Sequence, residues 1–170
     1  AINSVAVYYR ALRAVVNSAI KQRITKRENY PFEYYKIKHQ KTTPRPVSEE
    51  EMQKYWNLHI DEDDYAYNHW LYGKAIFMLI GINFTDLALL TRDNVKGDCI
   101  EYRRAKTGRI YTIKMLPELV SLLERYRSSG RITLFPILNN EEYKQVERRS
   151  EVLAQKRKNT NKYLTKLGQT

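Results

Sequence analysis

The sequence predicts a mainly α-helical fold carrying one small antiparallel β-hairpin. Three observations lead there. Apolar residues recur at three- and four-residue steps near the start, in Val5, Tyr9, Leu12, Val16, Ala19 and Ile20. A very apolar stretch, "AIFMLIG" (75–81), is long enough with its flanks for a buried helix. Between 99 and 115, "CIEYRRAKTGRIYTIKM" alternates about a glycine-containing turn, as paired strands do.

The elements follow in chain order. The first helix covers "NSVAVYYRALRAVVNSAIKQRI", with Asn3 or Ser4 as its cap and Arg10, Arg13, Lys21 and Arg23 on the face away from the apolar stripe. From Lys26 to Pro46 periodicity dissolves into a proline-punctuated basic run, which reads as an extended linker and a domain boundary. Ser48 and Glu51 form a capping box, opening a helix to about His59 with Met52, Tyr55 and Trp56 inward. The apolar helix spans about Tyr65 to Gly81 and forms the buried centre of the core. "INFTDLALLTRDNV" gives a short helix and a turn. The hairpin follows, with Ile100, Tyr102, Ile110 and Thr112 setting its alternation. Pro117 suits the first turn of "PELVSLLERYR", and basic helix runs from Asn139 to Leu167.

Charge narrows the partner. The chain has 170 residues and a net charge of +11, which favours a polyanion. The surplus is uneven: +8 over residues 1–46, −6 over 47–100 and +9 over 101–170. Nucleic acid is the commonest polyanionic partner. A membrane is disfavoured because no apolar run approaches the ~18 residues that span a bilayer, and no signal-peptide pattern opens the chain. Cys99 is the sole cysteine, so no internal disulfide can form and a reducing cytoplasm is the expected compartment. The chain opens at Ala1 without a methionine and reads as part of a longer polypeptide.

Two motif look-alikes fail. "SAIK", "RDN" and "KTG" mimic the elements of penicillin-recognising serine enzymes, but the middle one lacks its serine and the chain is too short. "HIDEDD" (59–64) has neither a Gly-turn calcium loop nor a second ligand cluster, and reads as a solvated loop.

Taken together, the Arg-studded helix, the basic linker, "VSEEEM", "GINFTDLALLTRDNV" and "YRRAKTG" resemble, in order and spacing, the tyrosine recombinase (phage-type integrase) family, especially integrases of Bacteroides-type mobile elements. The resemblance implies the DNA breaking-rejoining fold. It makes residues 1–25 the last helix of a core-binding domain, 26–46 an interdomain linker, and 47–170 the first part of a catalytic domain. It implies site-specific recombination through a 3′-phosphotyrosyl intermediate, with no cofactor and no metal. The partner is double-stranded DNA, with self-association on it, in the bacterial cytoplasm at the nucleoid.

The resemblance also assigns residues. Lys106 matches the hairpin lysine that protonates the 5′-oxygen leaving the scissile phosphate, and an ammonium on a turn can reach into a groove as such an acid must. Asp86 matches the supporting acid of the G-L-R-x-x-E/D signature. Asn83 stands at the position of the first catalytic arginine and carries no charge; either Arg92 or Arg104 supplies it, or the phosphate clamp is weaker. Arg10, Arg13, Lys36, Lys38, Lys41, Arg45, Arg103, Arg104 and Arg109 are the expected DNA contacts, with at most one of Arg103 and Arg104 facing the site. None of His39, His59 and His69 begins an H-x-x-R segment, and the nucleophilic tyrosine is not expected in this chain. Tyr163 reads as a packed helical residue. Asn83 favours an alternative, a non-catalytic DNA-binding or regulatory relative. A basic RNA-binding module is a third reading, weakened by the lack of RNP-like aromatic strands.

Overall fold

A computed structural model describes residues 2–43, 46–127 and 130–169. The chain divides into two compact units, Ala1–Val47 and Ser48–Thr170.

In the first unit, α1 runs Ile2–Lys21. Asn3, expected as a cap, lies within the helix and bonds to the distant Gln40 instead. Among the described residues of α1 Ala6 alone is buried, while Val5 and Leu12 of the apolar stripe are about half exposed. After a short 3-10 turn at Arg27–Asn29, the chain folds back along α1, where it meets Asn3 and Tyr9. Phe32 is buried there, and the Tyr9 ring meets Phe32 edge-on at 6.3 Å and Tyr35 at 5.1 Å. The segment read as an extended linker is thus held on α1, and the boundary between units lies at its C-terminal end.

The second unit is mainly helical with a three-stranded antiparallel sheet. Ser48 and Glu51 form the full capping box of α2 (Glu49–Trp56), and Asp64 caps α3 (Tyr65–Met78) through the Ala66 N–H at 2.6 Å. The two helices are stapled reciprocally: the Tyr55 hydroxyl donates to the Trp70 carbonyl at 2.8 Å, and the Trp70 indole N–H to the Tyr55 carbonyl at 2.9 Å. Lys74 lies 3.7 Å from the centre of the Trp70 ring and 5.0 Å from that of Trp56, closing the layer with cation–π contacts. Helix α2 ends at Trp56, earlier than expected. Helix α3 ends at Met78, because Ile80 (φ 54°) and Gly81 (φ 75°) reverse the chain in left-handed conformation.

The short helix α4 (Phe84–Leu89) leads to β1 (Val95–Lys96), β2 (Cys99–Arg103) and β3 (Ile110–Lys114), in sheet order β1-β2-β3. One expectation is corrected here. Ile100 pairs with Ile113 and Tyr102 with Tyr111, so Tyr111 and Ile113 face the core while Ile110 and Thr112 face outward. Residues directly opposite in a pleated pair share one face, so the inward positions of β2 dictate those of β3. Helices α5 (Pro117–Arg125), α6 (Asn140–Lys144) and α7 (Val146–Leu167) complete the unit. Its core gathers Leu71 and Ala75 of α3, Leu87 of α4, Ile100, Leu119 of α5, Phe135 and Leu153 of α7. Tyr163 is packing, as expected: its ring stacks on His69 at 4.6 Å and 7°, and the His69 Nδ1 lies 2.8 Å from the buried Thr160 hydroxyl. No described helix is long and apolar enough to cross a membrane.

Two predictions concern this packing. A Cβ on Gly73 would lie 2.0 Å from the Tyr55 hydroxyl, so Gly73→Ala should destabilise the protein by about 1–3 kcal/mol despite the better helix propensity of alanine. Denaturant unfolding measures it. Burial lowers the His69 pKa from 6.5. The unfolded chain therefore takes up that proton first on acidification, and stability falls as pH drops from about 6.5 through the lower folded value. Melting curves between pH 7.5 and 5 should show this loss, and His69→Gln should flatten it.

Candidate nucleic-acid interface

The site begins at α4. Asn83 ends the left-handed reversal and caps the helix, its side-chain oxygen accepting the Thr85 N–H at 3.0 Å. Capping is what an asparagine does at this position. Its charge-free side chain is exposed at the start of α4. One turn on, Asp86 is buried, with 6% of its surface exposed, and its carboxylate accepts the Ala105 N–H at 3.0 Å. This bond fastens the tip of the β2–β3 hairpin to the first turn of α4.

The tip itself is a tight loop. Arg104 N–H donates to the Arg109 carbonyl at 2.8 Å, and Gly108 N–H returns to the Arg104 carbonyl at 2.8 Å. Gly108 has φ 69°, a conformation that glycine adopts without steric cost. Lys106 sits at the apex, exposed. The flanking arginines are held differently. Arg103 curls over the loop to donate to the Gly108 carbonyl at 2.8 Å. Arg109 lies with its guanidinium carbon 5.4 Å from the centre of the Tyr111 ring. Arg104 is half-buried, with Nη1 3.5 Å from the Tyr111 hydroxyl. Tyr111 in turn stacks on Tyr102 at 5.4 Å and 14°. Burial first, then the nearby Asp86 charge, pushes the Tyr102 phenol above its ordinary value.

None of Arg103, Arg104, Lys106 and Arg109 is ion-paired with a carboxylate among the described residues. Four uncompensated cations within seven residues form a concentrated anion-attracting tip. The structure thus brings Asn83, Asp86, Lys106 and the three arginines into one neighbourhood. Arg10, Arg13, Lys36, Lys38 and Lys41 lie exposed in the first unit, and Arg45 lies outside the described residues. Sequence reasoning missed Tyr102 and Tyr111 as the aromatic support of the tip. Their opposed register signals it only once the hairpin's pairing is known. It also missed Asn94, whose side chain accepts the Thr91 N–H at 2.8 Å and donates to the Glu101 carbonyl at 2.8 Å, bracing the turn before the sheet; the T-x-x-N spacing was the available sign.

No family model, curated protein or solved structure matches the chain.

The Asp86 anchor is directly testable. Asp86→Ala should accelerate hydrogen exchange at the Ala105 amide by about tenfold, as expected for losing a hydrogen bond to a charged group worth roughly 1.5 kcal/mol. Asp86→Asn, which keeps an acceptor oxygen, should have a smaller effect in the same NMR experiment.

Proposed function

We propose that the protein is a DNA-binding part of a tyrosine-recombinase-type strand-exchange enzyme with the DNA breaking-rejoining fold, in which Lys106 protonates the leaving 5′-oxygen. The observation that carries this reading is the Asp86–Ala105 bond, which holds an unpaired lysine and three arginines at the start of α4, where Asn83 replaces the expected arginine. A leaving alkoxide needs a proton at the moment the P–O bond breaks, and an ammonium on a fixed turn supplies it without reorganisation. The phosphate also needs a compensating positive charge. Arg104 is the guanidinium best suited to give it: it is half-buried, and its Nη1 lies 3.5 Å from the Tyr111 hydroxyl. Arg103, by contrast, is engaged on its own loop. Duplex affinity comes mainly from phosphate contacts and falls steeply with salt.

The second reading, a non-catalytic DNA-binding relative, draws on Asn83, whose oxygen is committed to capping α4. One experiment separates the two. Cleavage is assayed in a polypeptide that carries residues 1–170 together with an H-x-x-R segment and a tyrosine, using DNA with either a normal or a 5′-bridging phosphorothiolate linkage. Sulfur leaves without protonation. Lys106→Ala should slow cleavage of normal DNA by about 10²–10⁴-fold and be restored on the sulfur substrate. Arg104→Ala should be slow on both. Equal losses in cleavage and duplex binding for Lys106→Ala would reduce the lysine to a phosphate contact.

A further inference from the structure

We propose that Asn3 is a positioning residue for DNA binding: it locks the basic segment 36–41 onto α1, so that five cations of the first unit form one prearranged surface for duplex phosphates. The inference rests on the reading that the chain binds duplex DNA. It begins from a bond that links opposite ends of this unit. The Asn3 side chain donates to the Gln40 carbonyl at 2.9 Å and accepts the Gln40 N–H at 2.9 Å. One amide side chain thereby satisfies both backbone groups of a residue in a segment without regular secondary structure, much as a neighbouring strand would. At its other end the same segment is gripped by Tyr9, whose ring contacts Phe32 and Tyr35. Between these two anchors Ile37 is half-buried, while Lys36 and Lys38 are exposed.

The basic residues of the helix flank its anchored side. Asn3, Ala6 and Tyr9 mark where the segment packs. Arg10 follows Asn3 by two helical turns and Arg13 follows Ala6 by two, so both arginines continue the same side of α1. Arg10 is steadied there by its Nε–H, which donates to the Ala6 carbonyl at 3.1 Å. Lys36, Lys38 and Lys41 are thus carried on a segment held to the helix that bears Arg10 and Arg13, and no carboxylate among the described residues is ion-paired with any of the five. Had the segment been free, each lysine would be ordered only on binding, at an entropic cost; held in place, it meets the phosphates with that cost already met in folding. A fixed row of cations suits a regular polyanion such as the backbone of duplex DNA, where each neutralised phosphate releases counterions.

The test uses the full chain and a short fluorescent duplex, with affinity measured across a salt series. Asn3→Ala removes no charge, yet it should weaken binding about 3- to 10-fold and lower the salt slope by about one to two. Tyr9→Ala should act similarly, and Tyr9→Phe, which keeps the ring, should bind as the native chain does. Lys36→Ala with Lys38→Ala should cost clearly less in the Asn3→Ala background than alone. The proposal is overturned if Asn3→Ala binds with native affinity and slope, or if its penalty and the lysine penalty are independent. If the lysine variant alone leaves affinity and slope untouched, the segment does not touch DNA and the proposal is overturned while duplex binding stands; a native chain that binds no duplex overturns the reading beneath it. Equal binding to anionic vesicles that duplex DNA does not compete away would likewise overturn both.

Discussion

A single buried carboxylate organises the second unit's charged end. Asp86 belongs to α4 by sequence and to the hairpin by bonding, because its acceptor oxygen takes the backbone N–H of Ala105. Burying a carboxylate is costly unless something donates to it, so the hairpin tip cannot drift from the helix without exposing that cost. The tip's own hydrogen bonds set its shape, but they would leave it free to swing as a unit on the sheet. Asp86 supplies the remaining constraint. The loop's relation to the start of α4 comes from this contact together with the Tyr102–Tyr111 support beneath the arginines.

The supporting layers act on the same principle of shared polar groups. The α2–α3 pair is joined by two bonds that run in opposite directions between Tyr55 and Trp70, and Gly73 leaves room for the tyrosine hydroxyl. One turn before Gly73, His69 meets Thr160 and Tyr163 of α7. Helix α3 is thus held to both α2 and α7 by polar side chains that also pack. Its abrupt end follows from the left-handed pair Ile80–Gly81. A β-branched residue in that conformation costs about 1–2 kcal/mol. The turn nonetheless places Asn83 directly at the next helix start, where its side-chain oxygen caps α4.

How much of this was legible depended on the range of the interaction. Ser48 with Glu51, Pro117 and the apolar run of α3 act within a turn or two of chain, and their helices begin where expected, though α2 and α3 end a few residues early. The hairpin's existence was equally local, resting on alternation about Gly108. Its facing was not: Ile110 and Thr112 fall outward because Ile100 and Tyr102 choose the core side for their partners. The 26–46 segment reads as a linker because its prolines and lysines show no periodicity. Its attachment depends on Asn3 and Tyr9 meeting residues more than twenty positions away, which no local pattern encodes. Phe135, fully buried in a loop, shows the same limit in the second unit: its burial is decided by the helices around it.

The charge pattern gains a structural meaning from this. By its sign alone the acidic stretch 47–100 would serve as a counter-surface to the basic zones, yet several of its carboxylates are spent within the backbone of their own unit. Glu51 accepts the Ser48 N–H at 2.8 Å, Asp64 accepts the Ala66 N–H, and Asp86 holds Ala105. Such acids stabilise helix starts and turns through the partial positive charge of the N–H groups there and are unavailable to neutralise lysine or arginine. Only four ion pairs occur among the described residues, against 30 basic side chains in the chain. Three of these acids thus serve helix starts and the hairpin, and none of the cations at 10–41 and 103–109 is in an ion pair among the described residues.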